Sequence, residues 1–146
     1  MIYLLDTDIL IFMIRGLKSA RPPAQRKRAL ALVERCQTAQ GEGESVGLSA
    51  VSVSELEFGA HLSADYSREI TAVQKLLAPF DVYDYDAVAC PRQYGRVRHG
   101  LERLGQPIGS MDMLIAAHAL ALDAILVTNN LAHFHIVDGL KATSWL

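Results

Sequence analysis

Acidic residues stand at three separated points of this chain, each close to the end or start of an apolar run. Asp6 and Asp8 follow the apolar residues 2–5, Glu55 comes soon after a second apolar run, and Asp112 opens an apolar helical segment. In an open α/β fold, ligands bind at the edge where the carboxyl ends of parallel strands meet. Carboxylates that converge at this edge would form a site for a hard divalent cation.

A divalent cation at such a site supplies a definite chemistry. It activates water, stabilises the charge that develops on a phosphoryl group and assists the leaving oxygen. The acids therefore indicate phosphodiester hydrolysis, with Asp6, Glu55 and Asp112 as the metal-binding and catalytic residues. Magnesium is the expected cation, because it takes oxygen ligands and keeps several of its waters.

Two of these acids also have a purely structural explanation. Asp112 in a first helical turn complements the helix dipole, and either Thr7 or Asp8 could be the N-cap of the helix that follows them. Asp6 is harder to explain in this way. An acid that adjoins four apolar residues is expected to be partly buried, and a buried charge without a partner is costly.

Neutral polar residues stand at the end of another predicted strand, 125–128, and directly after it. We expect them at the same edge of the sheet. Thr128 could donate a hydrogen bond to a carboxylate or a phosphate. Asn130 could orient a water molecule, or it could cap a short helix over Leu131–Phe134. Asp8, Thr128 and Asn130 are therefore predicted to support the three acids.

A basic stripe suggests the substrate. Arg92, Arg96, His99 and Arg103 recur at helical spacing, so they share one face of a predicted helix. Such a stripe could follow the phosphates of an RNA, with Arg92, Arg96 and Arg103 as the RNA-binding residues. A charged, solvated helix face would produce the same pattern.

The histidines do not form a metal-ligand pattern. His118 lies inside an apolar helix, where a buried and hydrogen-bonded core histidine is the expected role. His133 and His135 are separated by a single residue, which is a weak arrangement for metal ligands.

Strands and helices alternate along the chain in a way that would position these side chains. The pattern predicts a mostly parallel sheet in a three-layer α/β/α domain that spans residues 1–146. We expect the helix that bears Glu55 to stop at Gly59, and Ser110 to cap the helix that bears Asp112. The predicted strands are residues 2–5, 46–48, 80–83 and 125–128, with short candidates at 136–137 and 142–145.

Composition sets limits on these hypotheses. With 146 residues, 51% of them hydrophobic, the chain has the size and core of one ordinary domain. A formal net charge of -2 gives no overall signal for binding a polyanion, so contacts with RNA would need a local basic patch. Cys36 and Cys90 have no redox or metal spacing, and the chain starts without a leader pattern, which predicts a cytoplasmic protein.

Five motifs in one order and spacing extend over nearly the whole chain. Together they resemble the PIN-domain ribonucleases, and in particular the VapC-type toxins of bacterial type II toxin–antitoxin systems. The motifs are LLDTDIL at 4–10, SELEFGA at 54–60, PIGSMD at 107–112 with IAAHA at 115–119, LVTNN at 126–130, and Phe134 with VDGL at 137–140.

This resemblance implies a magnesium- or manganese-dependent endoribonuclease in which Asp6, Glu55 and Asp112 bind the metal. It also implies a homodimer that inhibits translation until a small antitoxin protein neutralises it. Transfer, ribosomal and messenger RNA are all compatible substrates, because loops in RNA are recognised by shape.

Two positions depart from the simplest pattern of the family. Asn130 stands where many PIN domains have a fourth acid, which leaves open whether one or two metal ions bind. Asp8 stands where the family often has asparagine, so it could add charge to the site or cap the helix.

Two other classes of function compete with this hypothesis. A phosphohydrolase of the haloacid-dehalogenase type would use Asp6 and Asp8 as nucleophile and acid. It also needs a downstream lysine and a late acidic pair. Beyond the first third of the chain, the lysines are Lys75 and Lys141, neither in a suitable context, and residues 123–138 contain no paired acids. The second alternative is an interaction module without catalysis, against which the three intact acids argue.

Overall fold

The computed structural model describes residues 1–18 and 21–146. No helix within this part of the chain is both long and apolar enough to cross a membrane. The strands are β1 (Ile2–Leu5), β2 (Ser45–Ser49), β3 (Asp81–Tyr83), β4 (Ile125–Val127) and β5 (Lys141–Thr143); the helices are α1 (Thr7–Gly16), α2 (Pro23–Gly41), α3 (Ala50–Leu62), α4 (Tyr66–Leu77), α5 (Ala89–Arg103), α6 (Ser110–Leu122) and α7 (Leu131–Phe134).

The strands form one parallel sheet in the order β3-β2-β1-β4-β5. β1 lies at its centre, where Tyr3 pairs with Val46 of β2 and with Ile125 of β4. Because all strands run in the same direction, the residues that follow β1, β2 and β4 meet at one edge. The predicted parallel sheet is confirmed, and its carboxyl edge receives Asp6 and Thr128.

Two hydrophobic clusters cover the two faces of the sheet. Leu4 and Leu126 pack in the cluster formed with α5, α6 and α7, whereas Leu5 and Val127 pack in the cluster formed with α1, α2, α3 and α4. Neighbouring residues of a strand point to opposite faces, so a strand that is buried on both sides must be apolar at every position. This confirms the predicted three-layer α/β/α architecture.

Two helix starts differ from the sequence prediction. Asp6 is the N-cap of α1, and it has the extended backbone (φ -64, ψ 152) that a capping residue adopts before the first helical residue. The expectation that Thr7 or Asp8 caps this helix was therefore wrong, because both already lie within its first turn. Likewise, Gly109 occupies the N-cap position of α6, and Ser110 is the first helical residue.

Two other boundaries were also misplaced. Helix α3 does not stop at Gly59 but continues to Leu62. Leu56 precedes the glycine, Ala60 follows it, and both are buried, so the helix packs against the core beyond Gly59. The strand expected at residues 136–137 does not form. Val137 instead lies in a turn, where its N–H donates to the carbonyl of Phe134 and its side chain is buried.

Candidate active site

Asp6 lies at the centre of the carboxyl edge and is only 2% exposed. Its Oδ1 accepts a hydrogen bond of 2.8 Å from the N–H of Thr7, and its Oδ2 accepts one of 2.9 Å from Oγ1 of Thr128. The backbone N–H of Asp6 donates to the carbonyl of Val127, which ties the residue to β4. Main-chain and side-chain bonds therefore hold this carboxylate in one orientation.

The surroundings of Asp6 make its charge unfavourable. Burial raises the pKa of Asp6 to about 6, the hydrogen bond from Thr128 opposes this rise, and the charges of Asp8 and Asp112 add to it. A carboxylate that is desolvated and repelled by its neighbours is stabilised by a bound cation. The charges of Asp8 and Asp112 thus act on Asp6, as expected for residues gathered at one edge.

Glu55 reaches the same edge from α3. Thr7 donates a 2.8 Å hydrogen bond from Oγ1 to Oε1 of Glu55, and Oγ1 also lies 2.7 Å from Oγ of Ser52. Since the single hydroxyl proton of Thr7 goes to Glu55, Ser52 is the donor in the second bond. Burial raises the pKa of Glu55, the bond from Thr7 lowers it, and the charges of Asp112 and Asp8 raise it. Thr7, which the sequence suggested only as a cap, therefore links the start of α1 to Glu55.

Glu57 has a different environment from Glu55. It accepts a 2.7 Å hydrogen bond from the hydroxyl of Tyr66, away from the contacts of Thr7. The structure thus places Glu55 rather than Glu57 in contact with Thr7, the residue that follows Asp6 in the chain.

His118 connects the helix of Asp112 to the helix of Glu55. It is fully buried on α6, and its Nδ1 lies 2.7 Å from Oγ of Ser49, the N-cap of α3. Burial lowers the pKa of this imidazole, so the neutral form is favoured. The prediction of a hydrogen-bonded core histidine is confirmed, and the contact fixes α6 against the start of α3.

Asp112 lies in the first turn of α6 and contacts a histidine that the sequence suggested only as a weak metal ligand. Its Oδ2 is 2.9 Å from Nε2 of His133, on α7. Asn130 is the N-cap of α7, as one of the two sequence interpretations proposed: its Oδ1 accepts a 3.3 Å bond from the N–H of His133. Asp112 and His133 are 21 residues apart, and no local pattern marks them as a pair.

The donor set suits a hard cation, although the side chains do not form a compact cage. Across residues 1–18 and 21–146, no group of three or more His, Cys, Asp or Glu side chains is gathered tightly enough to hold an ion directly. Magnesium commonly keeps several of its waters and needs only one or two protein carboxylates. Asp6 uses two of roughly four lone-pair sites in its hydrogen bonds, so acceptor capacity remains. The carboxylates of Asp6, Glu55 and Asp112 fit such an ion in charge and in donor type.

Asp8 adds charge to this edge without capping the helix. It is exposed in the first turn of α1 and lines a groove of about 390 Å³ together with Arg15, Arg21 and Asn129. Its charge contributes to the raised pKa of both Asp6 and Glu55.

The basic stripe is exposed on α5, the helix that packs along α6. Arg96 donates to Oε1 of Gln93 and, at 3.4 and 3.5 Å, to the carbonyl of Asp138. Arg92 and Arg103 are exposed on the same helix. Their role in RNA binding stays a prediction.

Replacement of Thr7 tests how Glu55 is held. Thr7→Val keeps the shape of this buried side chain but removes the donor to Glu55. We expect a loss of about 1–3 kcal/mol in the free energy of unfolding, because a half-buried carboxylate loses its hydrogen bond. Urea denaturation of Thr7→Val and of Thr7→Ser, which keeps the hydroxyl, measures this effect. Equal stability of both variants and the parent would show that the Thr7–Glu55 bond contributes nothing.

Comparison with known proteins shows the family of this chain. Residues 3–140 match the PIN domain family. The chain belongs to this family. The PIN domain resembles a tRNA(fMet)-specific endonuclease VapC of Shigella flexneri, which is 35% identical over 143 residues, 98% of this chain and 97% of the relative. It is 31% identical to Ribonuclease VapC1 of Haemophilus influenzae over 145 residues, 99% of this chain and 98% of the relative.

Solved structures give the same result for the fold. This PIN domain superposes on a chain of VapBC2 from Rickettsia felis, bound to a DNA fragment from its promoter, with a TM-score of 0.87, 27% identity and 100% coverage of both chains. It superposes on a chain of DNA-bound VapBC from Salmonella typhimurium with a TM-score of 0.84, 28% identity and coverage of 99% and 98%. The predicted likeness to VapC-type PIN domains is confirmed.

Proposed function

We propose that this PIN domain is the toxin of a type II toxin–antitoxin system, a divalent-metal-dependent endoribonuclease that hydrolyses RNA phosphodiester bonds and thereby stops growth. One observation carries the proposal: Asp6 is buried at the carboxyl edge with its pKa raised to about 6, partly by the charge of Asp112. Carboxylates that repel one another do not stabilise a fold, so their presence at one edge points to a ligand that they bind. The similarity to the two VapC ribonucleases supports the same activity.

Magnesium is the proposed cofactor, with manganese as a substitute, and Asp6, Glu55 and Asp112 are the residues that would hold it. When bound, such an ion activates water and offsets the charge that develops on the phosphoryl group. The protein's own contribution is orientation. Thr7 directs Glu55, and Thr128 directs Asp6, so the carboxylates do not have to reorganise when the substrate arrives.

The proposed partners are an RNA, a small antitoxin protein and a second copy of the chain. Similarity to VapBC complexes of R. felis and S. typhimurium supports the antitoxin. Transfer RNA is the first substrate class to test, because the S. flexneri relative is named for tRNA(fMet). Arg92, Arg96 and Arg103 are the proposed contacts for RNA phosphates, which would make binding weaken as salt rises.

Cleavage of RNA by the purified toxin, free of antitoxin, tests the proposal. Total RNA and purified transfer RNA are incubated with magnesium, with manganese and with a chelator. We expect discrete fragments with either metal, none with chelator, and none from Asp112→Asn. The matched control is Asp123→Asn, which removes one exposed carboxylate at the end of α6. Intact RNA under all conditions, from folded protein, would favour an interaction module without catalysis.

A further inference from the structure

A chain of hydrogen bonds along the turn between β4 and α7 connects two of the three acids. Thr128 donates to Oδ2 of Asp6 at 2.9 Å and accepts at 3.0 Å from the N–H of Asn130. Asn130 in turn accepts from the N–H of His133, and Nε2 of His133 lies 2.9 Å from Oδ2 of Asp112. One short segment thus contacts a carboxylate from the centre of the sheet and a carboxylate from α6.

We infer that His133 is a positioning residue for Asp112: its Nε2–H holds the carboxylate in the orientation in which it binds the divalent cation. The inference rests on the proposed function, because it assigns a role toward the metal that this function requires. In this contact the proton lies on Nε2 of His133, because a carboxylate only accepts hydrogen bonds.

The ring of His133 is itself held in place. Its neighbour Phe134 is 1% exposed and anchors α7 in the hydrophobic cluster, with the two rings in an edge-to-face arrangement at 5.4 Å and 89°. At the other end, Asn130 caps the helix through both its side chain and its carbonyl. The position of Nε2 is therefore set by packing and capping, as a positioning residue requires.

The bond to His133 leaves Asp112 able to bind a cation. A carboxylate has roughly four lone-pair sites, and His133 occupies one of them. Carboxylates that ligate metals are commonly hydrogen-bonded by a second residue, and loss of that residue typically lowers metal affinity about 10- to 100-fold. In the alternative role, His133 competes with the cation for the carboxylate of Asp112. Loss of His133 would then strengthen metal binding, whereas loss of a positioning residue weakens it.

Titration of the full-length protein with manganese, followed by electron paramagnetic resonance, measures this affinity without reference to catalysis. We expect His133→Leu to weaken manganese binding about 10- to 100-fold, as for loss of an outer hydrogen bond to a ligand. His133→Gln should retain most of the affinity, because its amide N–H lies at about the distance from the backbone at which histidine has Nε2. In cleavage assays at saturating metal, kcat should fall for His133→Leu while KM for RNA stays unchanged.

The outcomes separate the inference from the proposed function. Unchanged or tighter manganese binding by His133→Leu overturns the inference, and so does equal weakening in the leucine and glutamine variants. If Asp112→Asn binds manganese as tightly as the parent, the metal site itself is wrongly assigned and the inference falls with it. Melting temperatures check that each variant folds. If His133→Leu does not, His133→Asn, whose shorter amide does not reach Asp112, takes its place.

Discussion

Asp6→Asn is expected to abolish RNA cleavage while it makes the metal-free protein more stable. The rate should fall roughly 10²- to 10³-fold or more, because the variant loses the charge at the centre of the proposed metal site. Asparagine preserves the local structure. Its Oδ1 can accept from the N–H of Thr7, and its amide can donate to the hydroxyl of Thr128.

The gain in stability follows from the raised pKa of Asp6. The folded protein binds a proton at this carboxyl up to about pH 6, whereas the model value for the unfolded chain is 3.8. The folded state therefore binds more protons between these limits, and this group's contribution to stability falls as pH rises through them. A shift of about two pK units corresponds to about 3 kcal/mol. The gain in the free energy of unfolding that Asp6→Asn brings should thus be absent below about pH 4. It should reach its full size, at most about 3 kcal/mol, above pH 6.

Urea denaturation with chelator, at pH 4.5 and at pH 7.5, measures this effect. The difference between the parent and Asp6→Asn should be about three times larger at the higher pH than at the lower one, where only about a third of the effect has developed. Asp123→Asn, which lies on the surface, should stay within about 0.5 kcal/mol of the parent at both. Added magnesium should raise the melting temperature of the parent more than that of Asp6→Asn. A variant that is active, or less stable than the parent at pH 7.5, would contradict the assignment of Asp6.

Gly47→Ala is expected to disrupt the sheet. Gly47 lies in β2, where it pairs with Leu4 of β1 and with Asp81 of β3. A Cβ at this position would overlap the carbonyl oxygen of Asp81 and lie 2.6 Å from Cε2 of Tyr83. The carbonyl belongs to the strand ladder and cannot move without breaking it. We expect a loss of about 3 kcal/mol or more in the free energy of unfolding, as for an overpacked core.

Gly59→Ala is the matched control for this substitution. Gly59 lies inside α3, and a Cβ there would meet nothing within 4 Å. Because alanine loses less backbone entropy than glycine in a helix, Gly59→Ala should gain about 0.5–1 kcal/mol. Guanidinium denaturation of both variants provides the comparison. If Gly47→Ala were as stable as the parent, β2 and β3 would not be packed as closely as the structure places them.

Local patterns in the sequence were sufficient for the framework of the protein. The wholly apolar residues 2–5 predicted a strand buried on both faces, since such a strand must contribute to two clusters. The alternation of strands and helices predicted a parallel sheet, and this topology brings Asp6, Glu55 and Asp112 toward one edge. Asn130 caps α7, one of the two roles that the sequence allowed it, whereas the caps expected at Thr7 or Asp8 and at Ser110 were misplaced by one or two residues.

Interactions between distant residues needed the tertiary structure. Which of Asp6, Thr7 and Asp8 is the N-cap of α1 depends on where β1 ends. The end of β1 is set by its pairing with β4. The bond from Thr7 to Glu55 spans 48 residues.

The amino-acid sequence by itself thus determined the fold class and the family and predicted the three acids, because periodicity, residue type and motif spacing are properties of the chain. Only the tertiary structure decided that Asp6 is almost completely buried rather than partly buried, and that His133 contacts Asp112. The extent of burial and the direction of a side-chain hydrogen bond depend on neighbours that are remote in sequence, so local patterns do not fix them.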